Sequence, residues 1–294
     1  MGSLGNSELV LNPDGSIYHL NLLPDEIATT IITVGDQNRV AEVSKYFDTI
    51  EVKKSKREFV THTGRYKGKR ITAISTGIGT DNIDITFNEL DALANIDFQT
   101  RQIKEAKTQL NFIRVGTSGS IQPDIPIDSF LMGTAGIGFD GLLHFYESGH
   151  VRNDELEETL NNYLGWDKHH IHPYVVDGDP DLIDIFTSNR IRLGITGTNS
   201  GFYGPQGRSL RLQTKIPDFN EQLAAFSYQN QRVTNLEMET AAMYGLAKML
   251  GHRAISLNVI LANRPNKEFS IKGKESIDCL IQYTLEKITE SQLV

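Results

Sequence analysis

The sequence predicts a single α/β domain, with strands and helices alternating around a largely parallel or mixed sheet in a three-layer α/β/α sandwich. Three observations carry this. Short β-branched or apolar runs, at 29–34, 70–75, 111–115, 191–196 and 254–262, have strand length. Several end in a glycine turn that opens a segment of helical periodicity. No internal repeat or low-complexity linker divides the 294 residues, so one domain, from residue 17 to 294 behind a leader of residues 1–16, is the simplest organisation.

Composition narrows the function. With 37 acidic and 29 basic residues the net charge is −8, which excludes a large nucleic-acid face, since neutralising phosphates needs clustered positive charge. A small anion site built from a few arginines stays compatible. The single cysteine, Cys279, cannot form an internal disulfide and is expected as a buried thiol in an apolar helical run, in a reducing compartment. No basic segment precedes an apolar core at the N-terminus, and no run approaches about 18 apolar residues. A cytoplasmic protein with no membrane partner is expected.

Residues 1–16 are polar with turn signals and read as a loose leader, followed by the apolar-aromatic patch Ile17-Tyr18-His19-Leu20. The strand at 29–34 ends in Gly35-Asp36-Gln37-Asn38-Arg39, with a helix beginning at Val40. Strand, glycine turn and helix with an early arginine can cradle an anion on backbone N–H groups and one guanidinium. The turn is neither a Walker A loop nor a G-x-G-x-x-G fingerprint. The run Lys53-Lys54-Ser55-Lys56-Arg57-Glu58 reads as a solvated face. A strand at 59–64, a hairpin turn at 66–69 and a return strand at 70–75 follow. The glycine-rich turn Thr76-Gly77-Ile78-Gly79-Thr80 leads into a helix from about residue 82 to the mid-nineties, and 97–108 reads as an exposed extension.

Arg114 lies inside the apolar strand at 111–120, a costly position unless a fixed anion meets it. Thr117 and Ser118 follow with hydroxyls and glycine-freed N–H groups. Two strand ends, Gly35/Arg39 and Arg114/Thr117, thus offer the same chemistry, suited to one small oxyanion. A strand at 129–135 and a short one at 142–146 come next, then an acidic, histidine-bearing stretch at 147–176. His169, His170 and His172 have no second ligand cluster at metal-binding spacing and read as solvated loop residues. A short helix at 181–188 with Pro180 at its start and a strand at 191–198 precede the loop Gly201-Phe202-Tyr203-Gly204-Pro205-Gln206-Gly207-Arg208. An aromatic face beside Gln206 and Arg208 suits a planar pyrimidine-2,4-dione, whose edge presents acceptor, donor, acceptor; an ordinary polar loop is the competing reading.

The chain is organised around Asn235-Leu236-Glu237-Met238-Glu239-Thr240-Ala241-Ala242. A buried strand ends at Arg232-Val233-Thr234 and a helix follows, with Met238, Ala241, Ala242, Gly245, Leu246 and Met249 on one face. A carboxylate at such a junction can accept two hydrogen bonds from a vicinal diol, with Met238 beneath the sugar ring, or it can simply satisfy the helix macrodipole. The last strand ends in Asn263-Arg264-Pro265, and an amphipathic helix from Ile277 to Ile288, with Ser276 as its cap, closes the chain.

Taken together, Gly35-Asp36…Arg39, Arg57-Glu58-Phe59, Ser75-Thr76-Gly77-Ile78-Gly79, Arg114-Val115-Gly116-Thr117, Ile121-Gln122-Pro123, Phe202-Tyr203…Gln206-Gly207-Arg208, Glu237-Met238-Glu239 and Asn263-Arg264 resemble nucleoside phosphorylase family I, and within it the uridine phosphorylases. The resemblance spans most of the chain from Tyr18 and implies a phosphorylase/hydrolase-like fold with a mixed, partly barrel-like central sheet. It implies that Gly35, Arg39, Arg114 and Thr117 hold phosphate, with Arg57 supplied by a neighbouring subunit. Glu239 would bind the ribose hydroxyls beside Met238, His19 would reach the 5′-hydroxyl from the neighbour, and Phe202, Gln206 and Arg208 would read uracil. Arg208, Gln206 and Glu239 would then carry catalysis. The implied reaction is reversible phosphorolysis of uridine, with deoxyuridine and thymidine as further candidates, giving uracil and ribose 1-phosphate.

The resemblance implies no cofactor beyond phosphate as co-substrate; in some relatives a monovalent cation such as K+ sits by the residue matching Glu58. It also implies a homo-oligomer, with a dimer as the minimal active unit and a hexamer as its larger form. Departures are Gly204-Pro205 in reversed order, Gly207 in place of a glutamate, Gln37 in place of a proline, and extra length at 97–108 and 147–176. A purine nucleoside phosphorylase or a nucleosidase of the same fold, or a non-catalytic nucleoside-binding relative, are the alternatives. Retention of Arg39, Arg57, Arg114 and Thr117 counts against a nucleosidase, and retention of Glu239 and Arg208 against a binding protein.

Overall fold

A computed structural model describes residues 2–167 and 170–293. In chain order the elements begin with β1 (Thr30–Val34), whose residues are all buried, as befits an interior parallel strand. Helix α1 (Gln37–Ser44) starts earlier than expected because Asp36 caps it, accepting from the Asn38 N–H at 2.9 Å. The basic run, read as a solvated face, lies mostly in β2 (Thr49–Lys56), an edge strand in which Lys53 is exposed while Lys54 and Lys56 are partly buried and bond to Glu26 and to Asn12 and the Tyr18 carbonyl. Then come β3 (Phe59–Tyr66), β4 (Lys69–Ser75) and α2 (Thr80–Asn95). The 97–108 extension carries a two-rung hairpin, β5 (Ile96–Asp97) with β6 (Gln102–Ile103).

Two long strands follow, β7 (Asn111–Ser120) and β8 (Phe130–Gly138). The stretch at 142–146, expected as a strand, is instead a 3₁₀ turn over Leu142–Phe145. Gly141 enters it at φ 86° and Asp140 accepts the Leu142 N–H at 2.8 Å. The 147–176 segment supplies α3 (Asp154–Leu164) and β9 (Tyr174–Asp177), then α4 (Pro180–Phe186) and β10 (Ile191–Thr198). The remainder comprises α5 (Phe219–Ala225), β11 (Ser227–Tyr228), β12 (Gln231–Glu237), α6 (Thr240–Met249), β13 (Arg253–Asn263), β14 (Glu268–Phe269) and α7 (Gly273–Glu290).

The sheet closes partly on itself. Strands β12, β10, β8, β13 and β7 pair in that order, and β7 returns to β12 through Asn235↔Ser120 and Leu236↔Gly119. From β7 the sheet continues as an open wing through β1 and β4, both parallel, to the antiparallel β3 and β2. Helices α2 and α6 pack together on one side, α6 against β8, β10 and β13; α1 and α7 contact each other and other parts of the sheet. The expected layered sheet with barrel character is therefore present. A second, smaller core gathers Leu156 and Leu160 of α3 with Phe219 and Leu223 of α5, beside Trp166.

Three further expectations are corrected. Strand β12 runs on to Glu237 rather than stopping at Thr234, because Thr198 of β10 pairs with Glu237. Ser276 does not cap α7; the helix begins at Gly273, and the Ser276 hydroxyl donates to Asp128 at 2.6 Å. Cys279 is exposed, since it shares the outer face of α7 with Gln282 and Glu286 while Leu280 and Ile281 face the core. Residues of the leader make contacts with the rest of the chain: Leu9 is buried, and Arg101 donates to the carbonyls of Leu4 (2.8 Å), Gly5 (2.7 Å) and Leu9.

Candidate active site

A cavity of about 960 Å³ opens at the carboxyl ends of β1, β4, β12 and β13, where a parallel sheet leaves polar loops around a crevice. Gly35, Arg39, Arg114, Thr117, Phe202, Gln206, Arg208, Met238 and Glu239 all line it, together with Glu58. The two strand ends, Gly35/Arg39 and Arg114/Thr117, thus line one cavity.

Arg39, on the first turn of α1, donates to the Val115 carbonyl at 3.2 Å. Burial, and then the nearby Arg114 charge, pull its pKa down. The fixed anions that meet Arg114 are the protein's own. Its Nη2 donates to a Glu239 carboxylate oxygen, Nη1 donates to Asn258 Oδ1 at 3.0 Å, and Glu237 stands 3.7 Å away. Burial works against the Arg114 charge, but the two carboxylates outweigh it and its pKa rises. Asn258, the polar break in an apolar strand, is accordingly a supporting member that the sequence left without a role.

Gly116 makes this arrangement feasible, for a Cβ there would sit 1.7 Å from Arg114 Nη1 and 2.9 Å from Asn258 Oδ1. Gly116→Ala is therefore expected to push the guanidinium out of place and lower kcat/KM about 100-fold, a 1 Å displacement of a positioning group being that costly. Steady-state kinetics with a circular dichroism control for folding checks it.

The structure sorts the two carboxylates of the Glu-Met-Glu stretch. Glu237 serves the helix: its carboxylate accepts from the Glu239 N–H at 2.9 Å, the Thr240 N–H at 3.0 Å and the Thr198 hydroxyl at 2.6 Å. Glu239 serves the cavity. It accepts the Gly79 N–H at 2.8 Å and pairs with Arg114, which leaves lone pairs for further donors. Burial pushes the Glu237 carboxyl up to about 7, with Arg114 opposing.

That shift gives a signed prediction. A carboxyl that holds its proton more tightly folded than unfolded stabilises the fold below its ordinary range, and the stabilisation is lost as pH rises through about 7. Raising pH from about 5 to about 8 should thus cost wild type roughly 1–3 kcal/mol relative to Glu237→Gln, read from paired denaturation curves. A pH-independent difference would remove the assignment.

The loop at 201–208 forms the other half. Gln206 is buried, and its Oε1 accepts from Arg208 Nη1 at 2.6 Å. Arg208 also donates to the Phe202 carbonyl at 2.7 Å and lies 3.8 Å over the Phe202 ring. Burial, with the Arg264 charge adding to it, lowers Arg208 to about 10, still charged at neutral pH. Gly207, in place of the family's glutamate, sits at φ 67° and closes a 3₁₀ turn over Gly204–Gln206. Arg264 Nη1 then holds the Gln206 carbonyl at 3.0 Å. Gln37 occupies the first position of α1, where proline is tolerated but not needed.

His19 and Arg57 do not line the cavity of their own chain. His19 pairs with Glu89 at 2.6 Å, and Arg57 is exposed at the β2–β3 turn with φ 55°. His170 pairs with Asp167 at 2.9 Å, while His169 lies outside the described residues. Among the described residues no helix is long and apolar enough to cross a membrane.

The fold and the site define an α/β protein that gathers Arg39, Arg114, Arg208, Gln206 and Glu239 around one crevice at the carboxyl ends of its strands. Residues 29–283 match the model of the Phosphorylase superfamily, and the chain belongs to that family. It is 32% identical to the uridine phosphorylase of Thermococcus kodakarensis over 89% of this chain and 83% of the relative. It is 30% identical to that of Haemophilus influenzae over 86% and 88%. Among solved structures, a Trypanosoma brucei nucleoside phosphorylase described as showing uridine phosphorylase activity superposes with a TM-score of 0.86 at 29% identity, covering 97% of this chain and all of the other.

Proposed function

We propose that the protein catalyses the phosphorolysis of uridine to uracil and ribose 1-phosphate. The observation that carries this reading is the convergence of Arg39, Arg114, Glu239, Gln206 and Arg208 on one cavity. Phosphate enters beside Gly35, Arg39, Arg114 and Thr117, taking a share of the Arg114 guanidinium now held by Glu239. The ribose diol donates to the free lone pairs of Glu239, with Met238 against the ring. Uracil docks on Gln206 and Arg208, near the Phe202 ring. Support for a pyrimidine comes from this Gln/Arg pair and from the similarity to named uridine phosphorylases.

The chemistry follows from charge. Breaking the N-glycosidic bond leaves positive charge on the ribose and negative charge on the departing base. Arg208 and Gln206 stabilise the base anion, and phosphate both screens the oxocarbenium ion and attacks C1′. The bond to C1′ passes from N1 of uracil to a phosphate oxygen, and no covalent enzyme intermediate is required.

His19 and Arg57 act from a second copy of the chain in this reading. Support lies in their closeness: Lys56, next to Arg57, donates to the Tyr18 carbonyl, next to His19. A homo-oligomer with a dimer as its smallest active unit follows.

The test is the loss of uridine absorbance with and without phosphate, beside inosine and adenosine. Phosphate-dependent release of uracil alone is expected. Purine cleavage would mean that the 204–207 loop has altered the pocket, and cleavage without phosphate would place the chain among nucleosidases.

A further inference from the structure

We propose that Glu89 is a positioning residue that selects the ring face and tautomer of His19, and through it the protein's preference for a nucleoside bearing a 5′-hydroxyl. The proposal rests on the reading that His19 serves the cavity of a second copy. Its own ground is the geometry around one carboxylate on α2. Glu89 accepts the His19 N–H at 3.0 Å, the Leu20 N–H at 2.9 Å and the His19 ring through Nδ1 at 2.6 Å. Three donors from two consecutive residues thus converge on a mostly buried acidic group, 13% exposed.

The segment is held from its other side as well. Lys56 donates to Asn12 Oδ1 at 2.9 Å and to the Tyr18 carbonyl, and stands 4.4 Å over the Tyr18 ring. Tyr18 in turn meets the His19 ring edge-on, with centroids 4.8 Å apart at 81°.

An ionised carboxylate only accepts, so Nδ1 must carry the proton that Glu89 receives. In the neutral ring that leaves Nε2 with a lone pair, on a side chain 28% exposed. No hydrogen bond engages Nε2 among the described residues. The neutral ring is therefore preset to accept a hydroxyl proton before any nucleoside arrives. Without Glu89 the ring could rotate or adopt the other tautomer, and would spend binding energy on reordering. Glu89 was not singled out in the sequence because its function depends on a partner seventy positions away.

The test compares kcat and KM for uridine and 5′-deoxyuridine in wild type, His19→Ala, Glu89→Ala, Glu89→Gln and the Glu89→Ala/His19→Ala double variant. Loss of the hydrogen bond should raise KM for uridine about tenfold in both alanine variants, with 5′-deoxyuridine unaffected and kcat nearly constant. The double variant should be no worse than His19→Ala, since both act through one contact. Glu89→Gln keeps an acceptor for the backbone N–H groups but offers its NH₂ group to Nδ1, which reverses the tautomer. It should raise the uridine KM while leaving the melting temperature near that of wild type, and it decides the matter if Glu89→Ala does not fold.

If His19→Ala treats the two substrates as wild type does, the role of His19 itself is wrong and this proposal falls with it. If His19→Ala loses the discrimination but Glu89→Gln retains it, the proposal alone is overturned. Equal losses for both substrates on changing Glu89 would mark it as merely structural and also overturn it.

Discussion

Replacing Arg114 with alanine should lower kcat/KM for uridine phosphorolysis by about 10³–10⁴-fold, the largest effect of any single change at this site. The guanidinium is buried between Glu239, Glu237 and Asn258, and in the proposed function it also holds phosphate. Its removal acts twice. Phosphate loses its strongest partner, and two buried carboxylates lose the charge that offsets their repulsion. Leaving a buried ion pair without one partner costs roughly 3–5 kcal/mol, so the variant should also melt earlier. Arg114→Lys separates the two effects, because it keeps the charge but not the planar fork that reaches Glu239 and Asn258 together. It should recover most of the stability while leaving kcat/KM at least about 100-fold down. An alanine variant within tenfold of wild type would show that phosphate is bound elsewhere.

The site was legible where chemistry and spacing coincide within a few residues. An arginine inside an apolar strand and a second arginine just past a glycine turn read as two halves of one site, and β1 and β7 bring them to one cavity because they are adjacent parallel strands. The division of labour between Glu237 and Glu239 was not legible. It depends on where β12 ends, and the three residues beyond Thr234 are set by pairing with β10 and β7 rather than by local propensity. Helices α3 and α5 escaped notice for a related reason: each buries only a short stripe, Leu156/Leu160 or Phe219/Leu223, within a polar stretch. The contacts of the leader were not legible either, because its polar sequence says nothing of Arg101, whose guanidinium spans three of its carbonyls.

The cavity's charged groups also share an energetic logic. Three of them are already engaged within the protein: Arg114 with Glu239, Arg208 with Gln206, Glu237 with the first N–H groups of α6. Such pairs hold side chains in place without substrate, so binding replaces one partner by another instead of ordering free chains. The same pairing tempers the fields. Arg39 and Arg208, each depressed by burial and by another arginine, are the groups with most to gain when an anion arrives.

That argument sets the second large prediction. Arg208→Ala should reduce kcat by about 10²–10³-fold while raising the KM for phosphate little, because in the proposed reaction Arg208 acts on the charge that develops on uracil rather than on phosphate. Its guanidinium is half-buried, braced by the Phe202 ring and carbonyl and by Gln206. The field it exerts on the leaving group is therefore fixed in advance rather than recruited from solvent. The diagnostic is the dependence on the leaving group. A nucleoside whose base is intrinsically more acidic, such as 5-fluorouridine, needs less help and should recover part of the lost rate in Arg208→Ala. Arg208→Lys should fall between, keeping positive charge but losing the fork that joins Phe202 and Gln206. Arg264→Ala offers the matching control: it frees the Gln206 carbonyl and relieves Arg208 of a neighbouring charge, so it should raise KM for uridine more than it lowers kcat. Equal rate losses for uridine and 5-fluorouridine in Arg208→Ala would mean that the arginine orients the base without stabilising its departure.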